Sequence, residues 1–172
     1  MNAAFLIIPL ILIRYGLLGA ISKEALQRAA HFPPLIGKEK AALLVYQVSV
    51  LCMLIYFFFL QVVTDSVLFY IGLSVYAAGL LLCIFSMSNF AKPKDNGINI
   101  KGLYRFSRHP IYVSYLVYFL GCTLLTRSLI VLSLVVIHQV SVHFIILCEE
   151  RWCIQTFGDE YLTYMKKVRR YL

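Results

Sequence analysis

Two short motifs carry most of the residue types that can bind or transform a charged ligand. The first runs from Gly102-Leu103-Tyr104 into Arg108-His109-Pro110-Ile111-Tyr112, and the second is the pair Glu149-Glu150, followed by Phe157-Gly158-Asp159-Glu160-Tyr161. Both motifs border long apolar segments. Charged side chains beside hydrocarbon are costly unless they are paired or hydrated. We therefore interpret the two motifs as parts of one site at a membrane border.

The loop before the first motif is predicted to have an irregular backbone, because Pro93, Asp95-Asn96-Gly97 and Gly102 are turn-forming residues. Irregular backbone at membrane depth normally lines a cavity. Pro110 suits the first turn of a helix and would place His109 at the helix entrance, where a negative charge is favoured. These features predict a binding site around His109.

Simpler roles remain open for the same residues. Arg108 and the basic residues near it could form a rim that binds lipid headgroups. Glu149-Glu150 could cap a helix or pair with the neighbouring Arg151. We interpret His138 and His143 singly as hydrogen-bonded packing residues in preference to ligands, and participation of His143 in the site is left open.

The composition is that of an integral membrane protein. Of 172 residues, 61% are hydrophobic and 14% are charged, whereas about 25% of the residues in an ordinary soluble domain are charged. A helix needs about 20 apolar residues to cross the hydrocarbon core. Five segments approach this length and predict an all-α, polytopic membrane helix bundle that forms one domain over residues 1–172. They cover residues 3–21, 41–63, 67–90, 111–126 and 129–148.

The connections between these segments predict their arrangement. The turn at residues 64–66 is short, so we expect the second and third segments to pack as an antiparallel hairpin. Arg127-Ser128 predicts a second hairpin from the fourth and fifth segments. After the last segment, residues 159–172 are predicted to form an amphipathic helix on the membrane surface. This helix could anchor the chain or cover the loop before the fourth segment.

Basic residues are concentrated in three parts of the chain. Fourteen of the 16 lie in residues 22–40, 91–110 and 151–172, which five spans would place on one side of the membrane. Because Lys and Arg accumulate in cytoplasmic loops, the N-terminus is predicted outside and the C-terminus in the cytoplasm. The net charge of +8 then reflects topology and attraction to anionic headgroups, and it does not indicate a nucleic-acid partner. The five cysteines lack metal-like spacing with histidine, so no metal is expected.

The blocks that begin at Gly102, Glu149 and Phe157, in this order, resemble the isoprenylcysteine carboxyl methyltransferase family and the related phospholipid methyltransferases. The resemblance covers the C-terminal half, and the short chain is similar to prokaryotic members. It implies an integral membrane enzyme that uses S-adenosylmethionine, releases S-adenosylhomocysteine, and works at the cytoplasmic face. The expected partners are membrane lipids and a lipophilic acceptor that enters from the bilayer, and no obligate protein partner is inferred.

The resemblance also places residues at the cofactor, and the chemistry of the residues suggests roles as hypotheses. A carboxylate can bind the ammonium or ribose of the cofactor, and tyrosine rings can pack against adenine or the sulfonium cation. Arg108 could orient an acceptor carboxylate, and Glu150 could accept a proton from a neutral acceptor. The residues implied at the cofactor are Gly102, Tyr104, His109, Tyr112, Glu149 and Glu150.

Two points leave the function open at this stage. Ser141-Val142-His143-Phe144 stands where the eukaryotic isoprenylcysteine enzymes have an arginine-rich stretch, so the acceptor need not be a prenylated cysteine. An amine headgroup, a phenol, a thiol and a lipid carboxylate all remain candidates. The alternative is a non-enzymatic small transport or scaffold protein, in which the motifs only bind headgroups and Arg14 belongs to a polar pathway.

Overall fold

The computed structural model describes residues 1–30, 33–93 and 97–171. Throughout these ranges the ordered elements are helices, without a β-sheet. The predicted turn residues Asp95-Asn96, the basic residue Lys94 and the terminal Leu172 lie outside the described residues.

Among the described residues, four helices are long and apolar enough to cross a membrane, and a fifth apolar helix is shorter. The predicted all-α membrane bundle is therefore confirmed. The elements, in chain order, are the first span Ala3–Ile21, which contains α1 (Ile7–Ile11) and α2 (Leu18–Ile21), then α3 (Lys23–Ala30), α4 (Lys38–Phe57), α5 (Val67–Ala91), a 3-10 turn (Gly102–Arg105), α6 (Pro110–Thr126), α7 (Leu129–Phe157) and α8 (Asp159–Lys167).

Local capping chemistry explains several helix boundaries. The hydroxyl oxygens of Ser66 and Ser128 accept hydrogen bonds from backbone amides in the first turns of α5 and α7. Pro110 occupies the first turn of α6, where its missing N–H costs nothing. Gly158, with φ +55°, separates α7 from α8. The start of α6 and the end of α7, which carry the two motifs, are thus defined by local sequence.

Helices α5 and α6 are packed most closely, because glycine lets their backbones approach. A Cβ atom on Gly79 would lie 2.4 Å from the backbone nitrogen of Tyr118, and one on Gly121 would lie 2.4 Å from that of Tyr76. Small residues allow such contact between helices in a membrane. This contact fixes α6 closely against α5.

The predicted hairpin of the second and third apolar segments is wrong. Helix α4 ends at Phe57, and it packs mainly against α7, while α5 packs mainly against α6. Residues 58–63 leave the helical path because they bond to other parts of the chain. The amide of Val62 donates to the Met1 carbonyl and that of Val63 to the Leu125 carbonyl, both at 2.9 Å. The connection between α4 and α5 is therefore longer than predicted, and α4 packs against α7 instead of α5.

The first span is not a regular α-helix. It opens with a 3-10 turn, and it contains a π-helical segment at Leu12–Leu17, which includes Arg14. The hydroxyls of Tyr76 and Tyr118 donate to the Leu6 carbonyl at 2.9 and 3.0 Å. These bonds hold the span against the α5–α6 pair.

Two further boundaries differ from prediction. Helix α7 continues past residue 148 to Phe157, since no helix-breaking residue occurs before Gly158. Glu149 and Glu150 therefore lie within a helix. Helix α8 ends at Lys167 and does not continue to residue 172. Beyond it the chain is extended and forms a parallel bridge between Ser107 and Arg169.

Candidate functional site

A cavity of about 460 Å³ lies where the loop at residues 97–109 meets the ends of the apolar helices. Both sequence motifs contribute to its lining. Tyr46 of α4 and Tyr115 of α6 complete one side, and Arg14 reaches it from the first span. The lining residues from the two motifs are Tyr104, Arg108, His109, Ile111, Tyr112, Glu149, Phe157 and Tyr161, and the nearby residues Trp152, Cys153 and Tyr164 also line the cavity.

Glu149 is the carboxylate that lines the cavity. Its Oε1 accepts a hydrogen bond from the Tyr112 hydroxyl at 2.5 Å, and its Oε2 lies 3.5 Å from Nδ1 of His109. A quarter of its side-chain surface, 25%, remains exposed. The side chain is therefore oriented by two neighbours and retains an accessible surface toward the cavity.

Glu150 lies behind the cavity wall in a buried ion cluster. Its Oε1 accepts from Nη2 and Nε of Arg108 at 2.7 and 2.9 Å, and its Oε2 accepts from Nη2 of Arg170 at 2.7 Å. Nε2 of His109 lies 3.3 Å from Oε1. The Glu150 side chain is only 4% exposed. We call Arg108, His109, Glu150 and Arg170 the anchor cluster.

The anchor cluster joins residues 165–170, which we call the C-terminal tail, to the start of α6. Nη1 of Arg108 donates to the carbonyls of Met165 and Val168 at 3.2 and 2.6 Å, and the Arg108 amide donates to the Arg169 carbonyl at 2.9 Å. Nη1 of the Arg108 guanidinium thus donates to the tail, while Nε and Nη2 donate to Glu150. Removal of one member of such a buried ion cluster would leave the others without their partners, so each member helps to hold the tail against the start of α6.

Tyr104 and Gly102 occupy different positions in the loop before α6. Tyr104 lines the cavity, and its carbonyl accepts from the Tyr164 hydroxyl of α8 at 2.6 Å. Gly102 has φ +57°, and a Cβ atom there would lie 2.2 Å from Nδ2 of Asn89. Only glycine fits this conformation and this contact without displacement. Gly102 therefore packs the loop onto α5 and so holds Tyr104 in place.

Asn99 supplies a free acceptor at the same cavity. Its Oδ1 is buried and, among the described residues, has no hydrogen-bond partner. Asn99 lines the cavity beside Gly97 and Ile98. A buried amide oxygen without a partner is rare in native proteins and indicates a group that a ligand can satisfy.

Protonation states follow from these surroundings. Burial lowers the pKa of His109, but the carboxylates of Glu149 and Glu150 outweigh burial and raise this pKa above its ordinary value. Burial raises the pKa of Tyr104, of Tyr161 and of Tyr164. These phenols therefore remain neutral hydrogen-bond donors at physiological pH.

The same contacts bear on three of the simpler interpretations. Arg108 is 8% exposed and bonded to Glu150, so it does not belong to a solvated headgroup rim. Arg151 does not pair with the carboxylates of the second motif, because it forms an ion pair with Glu39 of α4. His138 is buried with Nδ1 3.2 Å from the Ser49 hydroxyl, as a packing histidine would be.

Sequence reasoning did not place Arg14, Tyr46, Tyr115 or Trp152 at the site. Arg14 hydrogen-bonds the Tyr115 hydroxyl and lines the cavity. Its position within an apolar segment was the available signal, because charged residues in membrane spans face polar interiors. The three aromatic residues carried no comparable signal, since tyrosine and tryptophan are common in membrane helices.

Comparison with protein-family models identifies a match to phospholipid methyltransferase over residues 67–160. The match covers more than half of the chain and includes the first motif and all of the second except Tyr161. The chain belongs to the phospholipid methyltransferase family, so the resemblance drawn from the motifs is confirmed. Membership indicates a membrane enzyme that methylates lipid-like substrates. Neither the curated proteins nor the solved structures contain a significant match to this chain.

Proposed function

We propose that this protein transfers the methyl group of S-adenosylmethionine to a lipophilic acceptor held in the membrane. The observation that carries the proposal is the cavity-facing carboxylate of Glu149, oriented by Tyr112 and His109 and surrounded by aromatic rings. A carboxylate with aromatic neighbours in a confined cavity suits a cationic ligand. Family membership gives the reaction class.

The residues present fit S-adenosylmethionine. The cavity, at about 460 Å³, lies within the usual range of roughly 300–1,000 Å³ for small-molecule sites. Glu149 would bind the ammonium group or a ribose hydroxyl, and Oδ1 of Asn99 would accept from another N–H or O–H of the ligand. Tyr104, Trp152 and Phe157 provide apolar faces for adenine and for the methyl-bearing sulfur.

The protein does not need to activate the methyl group, because the bound cofactor would supply an electrophilic methyl group for in-line displacement. The residues of the cavity must therefore align the acceptor and exclude water. Tyr161 and Tyr164 of α8 close the polar side of the cavity, and Tyr164 is tied to the Tyr104 carbonyl. Buried tyrosines in this position keep the site dry.

The anchor cluster supports these residues indirectly. Both oxygens of Glu150 are bound to arginines, and the Arg108 guanidinium is bound to Glu150 and to tail carbonyls. We therefore replace the hypothesis that these two residues act on the acceptor with a positioning role. Glu150 fixes Arg108 and His109, and His109 in turn orients Glu149.

The proposed orientation has the cavity at the cytoplasmic face. The lining residues lie near the end of α5, the start of α6 and the end of α7, next to the connecting segments rich in Lys and Arg. The opposite connection holds Arg127, which pairs with Asp65 at 3.2 Å. This arrangement supports an outside N-terminus and a cytoplasmic C-terminus under the positive-inside rule.

Calorimetric titration of detergent-purified protein with S-adenosylhomocysteine tests the proposal. We expect the wild type to bind, and we expect Glu149→Gln to bind at least about 10-fold more weakly, since a hydrogen bond to a charged group contributes about 1.5–3 kcal/mol. Glu24→Gln, which removes an exposed carboxylate of α3, is the matched control and should bind as the wild type does. A monodisperse wild type that does not bind would refute the proposal and favour a transport or scaffold role.

A further inference from the structure

Arg14 is an arginine in the interior of the first membrane span. The span covers Ala3–Ile21, so Arg14 lies about 10 Å from the cavity end of the span at 1.5 Å per residue. A charge at this depth is costly, and such residues usually mark a substrate or ion site. The backbone around it is the π-helical segment Leu12–Leu17. Short π-helical segments within α-helices often occur at functional sites.

The contacts of Arg14 leave its charge without an anion. Its Nη1 hydrogen-bonds the Tyr115 hydroxyl, and its Nη2 lies 3.4 Å from the Ala29 carbonyl. Within residues 1–30, 33–93 and 97–171, no carboxylate forms an ion pair with this guanidinium. A guanidinium presents a planar fork of donors that matches a carboxylate or a phosphate. The cavity therefore offers an anion-binding group that no carboxylate of the described residues neutralises.

The opposite charges of the cavity lie close together along α6. Tyr115 contacts Arg14, and Tyr112 contacts Glu149. Three residues along a helix bring side chains to the same face about one turn, or roughly 5 Å, apart. The cavity thus has a cation-binding part at Tyr112 and an anion-binding part at Tyr115, and the latter lies further into the membrane.

Arg14, the charged residue of the anion-binding part, lies outside the region shared with the family, whereas its partner Tyr115 lies inside that region. The family model matches residues 67–160, whereas Arg14 and Tyr46 belong to earlier spans. A methyl donor common to a family is expected to contact the shared part, while the acceptor can be recognised by residues that are particular to each chain. A methyl donor such as S-adenosylmethionine is also water-soluble and would enter from the polar side of the membrane.

We propose that Arg14 determines acceptor specificity by binding an anionic group, a phosphate or a carboxylate, of a membrane amphiphile. This inference rests on the proposed methyltransferase function. Arg14 and Tyr115 hold the anion, and the apolar chain of the amphiphile lies along the membrane spans. The nucleophile of the acceptor is then brought toward the Glu149 side of the cavity.

Trp152 provides a direct reporter, because it is the single tryptophan of the chain and lines the cavity. Its fluorescence is followed in neutral maltoside detergent during titration with tetradecyl phosphate, with myristate and with the neutral analogue tetradecanol. We expect at least one anionic amphiphile to bind at least 10-fold more tightly than tetradecanol. Tighter binding of tetradecyl phosphate than of myristate would indicate a phosphate, and the reverse order would indicate a carboxylate.

Variants assign the preference to Arg14. Arg14→Gln should abolish the difference between anionic and neutral amphiphiles, and Arg14→Lys, which retains the charge, should preserve part of it. Arg127→Gln removes an arginine at the opposite membrane face and should leave the preference unchanged. Equal binding of all three amphiphiles by the wild type, or an unchanged preference in Arg14→Gln, would overturn the proposal.

Calorimetry with S-adenosylhomocysteine on the same samples separates this proposal from the proposed function. We expect Arg14→Gln to keep the wild-type affinity within about twofold. A loss of more than 10-fold in Arg14→Gln, with Arg127→Gln unaffected, would show that Arg14 binds the cofactor carboxylate and would refute its role at the acceptor. Absence of binding by the wild type would instead contradict the methyltransferase function itself.

Discussion

The cavity wall at Glu149 and the anchor cluster at Glu150 each contain a glutamate carboxylate, but the two carboxylates have different neighbours and different exposure. Glu149 is held by Tyr112 and His109 and remains 25% exposed toward the cavity. Glu150, the next residue, is 4% exposed and bound to Arg108 and Arg170. The Glu149 carboxylate keeps an accessible surface toward the cavity, whereas the Glu150 carboxylate is bound to two arginines and holds the C-terminal tail. Adjacent identical residues can therefore have separate roles when a helix directs them to different surroundings.

The largest difference between the two regions should be in stability. Glu150→Gln leaves the Arg108 and Arg170 charges without their carboxylate, so we expect the free energy of unfolding to fall by about 3–5 kcal/mol. Glu149→Gln removes a partly exposed group and should cost about 1 kcal/mol. Equilibrium unfolding of both variants in detergent measures the difference. Equal losses would contradict the division of roles.

Gly102→Ala tests whether Gly102 acts through packing. Alanine at a positive φ costs about 1–2 kcal/mol, and its Cβ atom would overlap Asn89, so we expect a loss of at least about 2 kcal/mol in unfolding free energy. Asn89→Ala in the same chain removes the overlapping side chain and should restore part of the loss. A stable Gly102→Ala protein with lost S-adenosylhomocysteine affinity would indicate direct cofactor contact instead.

Tyr112→Phe sharpens the comparison at the cavity wall. The Tyr112 hydroxyl donates to Glu149 at 2.5 Å, and its removal should weaken S-adenosylhomocysteine binding by about 2- to 10-fold, the effect of one hydrogen bond of about 0.5–1.5 kcal/mol. Tyr70→Phe, at an exposed position of α5, is the control in the same calorimetric titration. An equal loss of affinity in Tyr70→Phe would show that the Tyr112 hydroxyl has no specific role in binding.

The smallest expected effect is a pH dependence from His109, which contacts both regions. Its pKa is raised in the folded state, so its stabilising contribution is complete below the unfolded pKa of about 6.5 and is lost as pH rises through the folded pKa. We expect stability to fall over this interval in the wild type and to vary less in His109→Gln. Unfolding midpoints measured across pH check this, and parallel profiles would exclude His109 as the source.

The sequence alone predicted the membrane class and the two motifs that meet at the cavity. Short polar turns and proline act locally, so the starts of α5, α6 and α7 could be predicted to within a residue or so. The pairing of α4 with α7 could not, because it depends on bonds from residues 58–63 to the distant Met1 and Leu125. Long-range contacts of this kind leave no periodic pattern.

The division between Glu149 and Glu150 was likewise beyond sequence reasoning. It depends on where Arg170 arrives after α8 ends at Lys167, and on the bridge that joins Ser107 to Arg169. Arg14 was visible as an unusual residue, but its meeting with Tyr115 needs the packing of the first span against α6. The contacts that a charged residue makes in the folded protein, more than its residue type, determine whether it faces the cavity.

Transfer of a labelled methyl group tests the central claim most directly. Membranes that contain the wild-type chain are incubated with S-adenosylmethionine labelled at the methyl group, and label is measured in the organic extract. We predict incorporation by the wild type at least about 10 times that of Glu149→Gln at equal protein level. Incorporation by the wild type no greater than by membranes without the chain, or equal incorporation by Glu149→Gln, would contradict the assignment of this cavity as the methyl-transfer site.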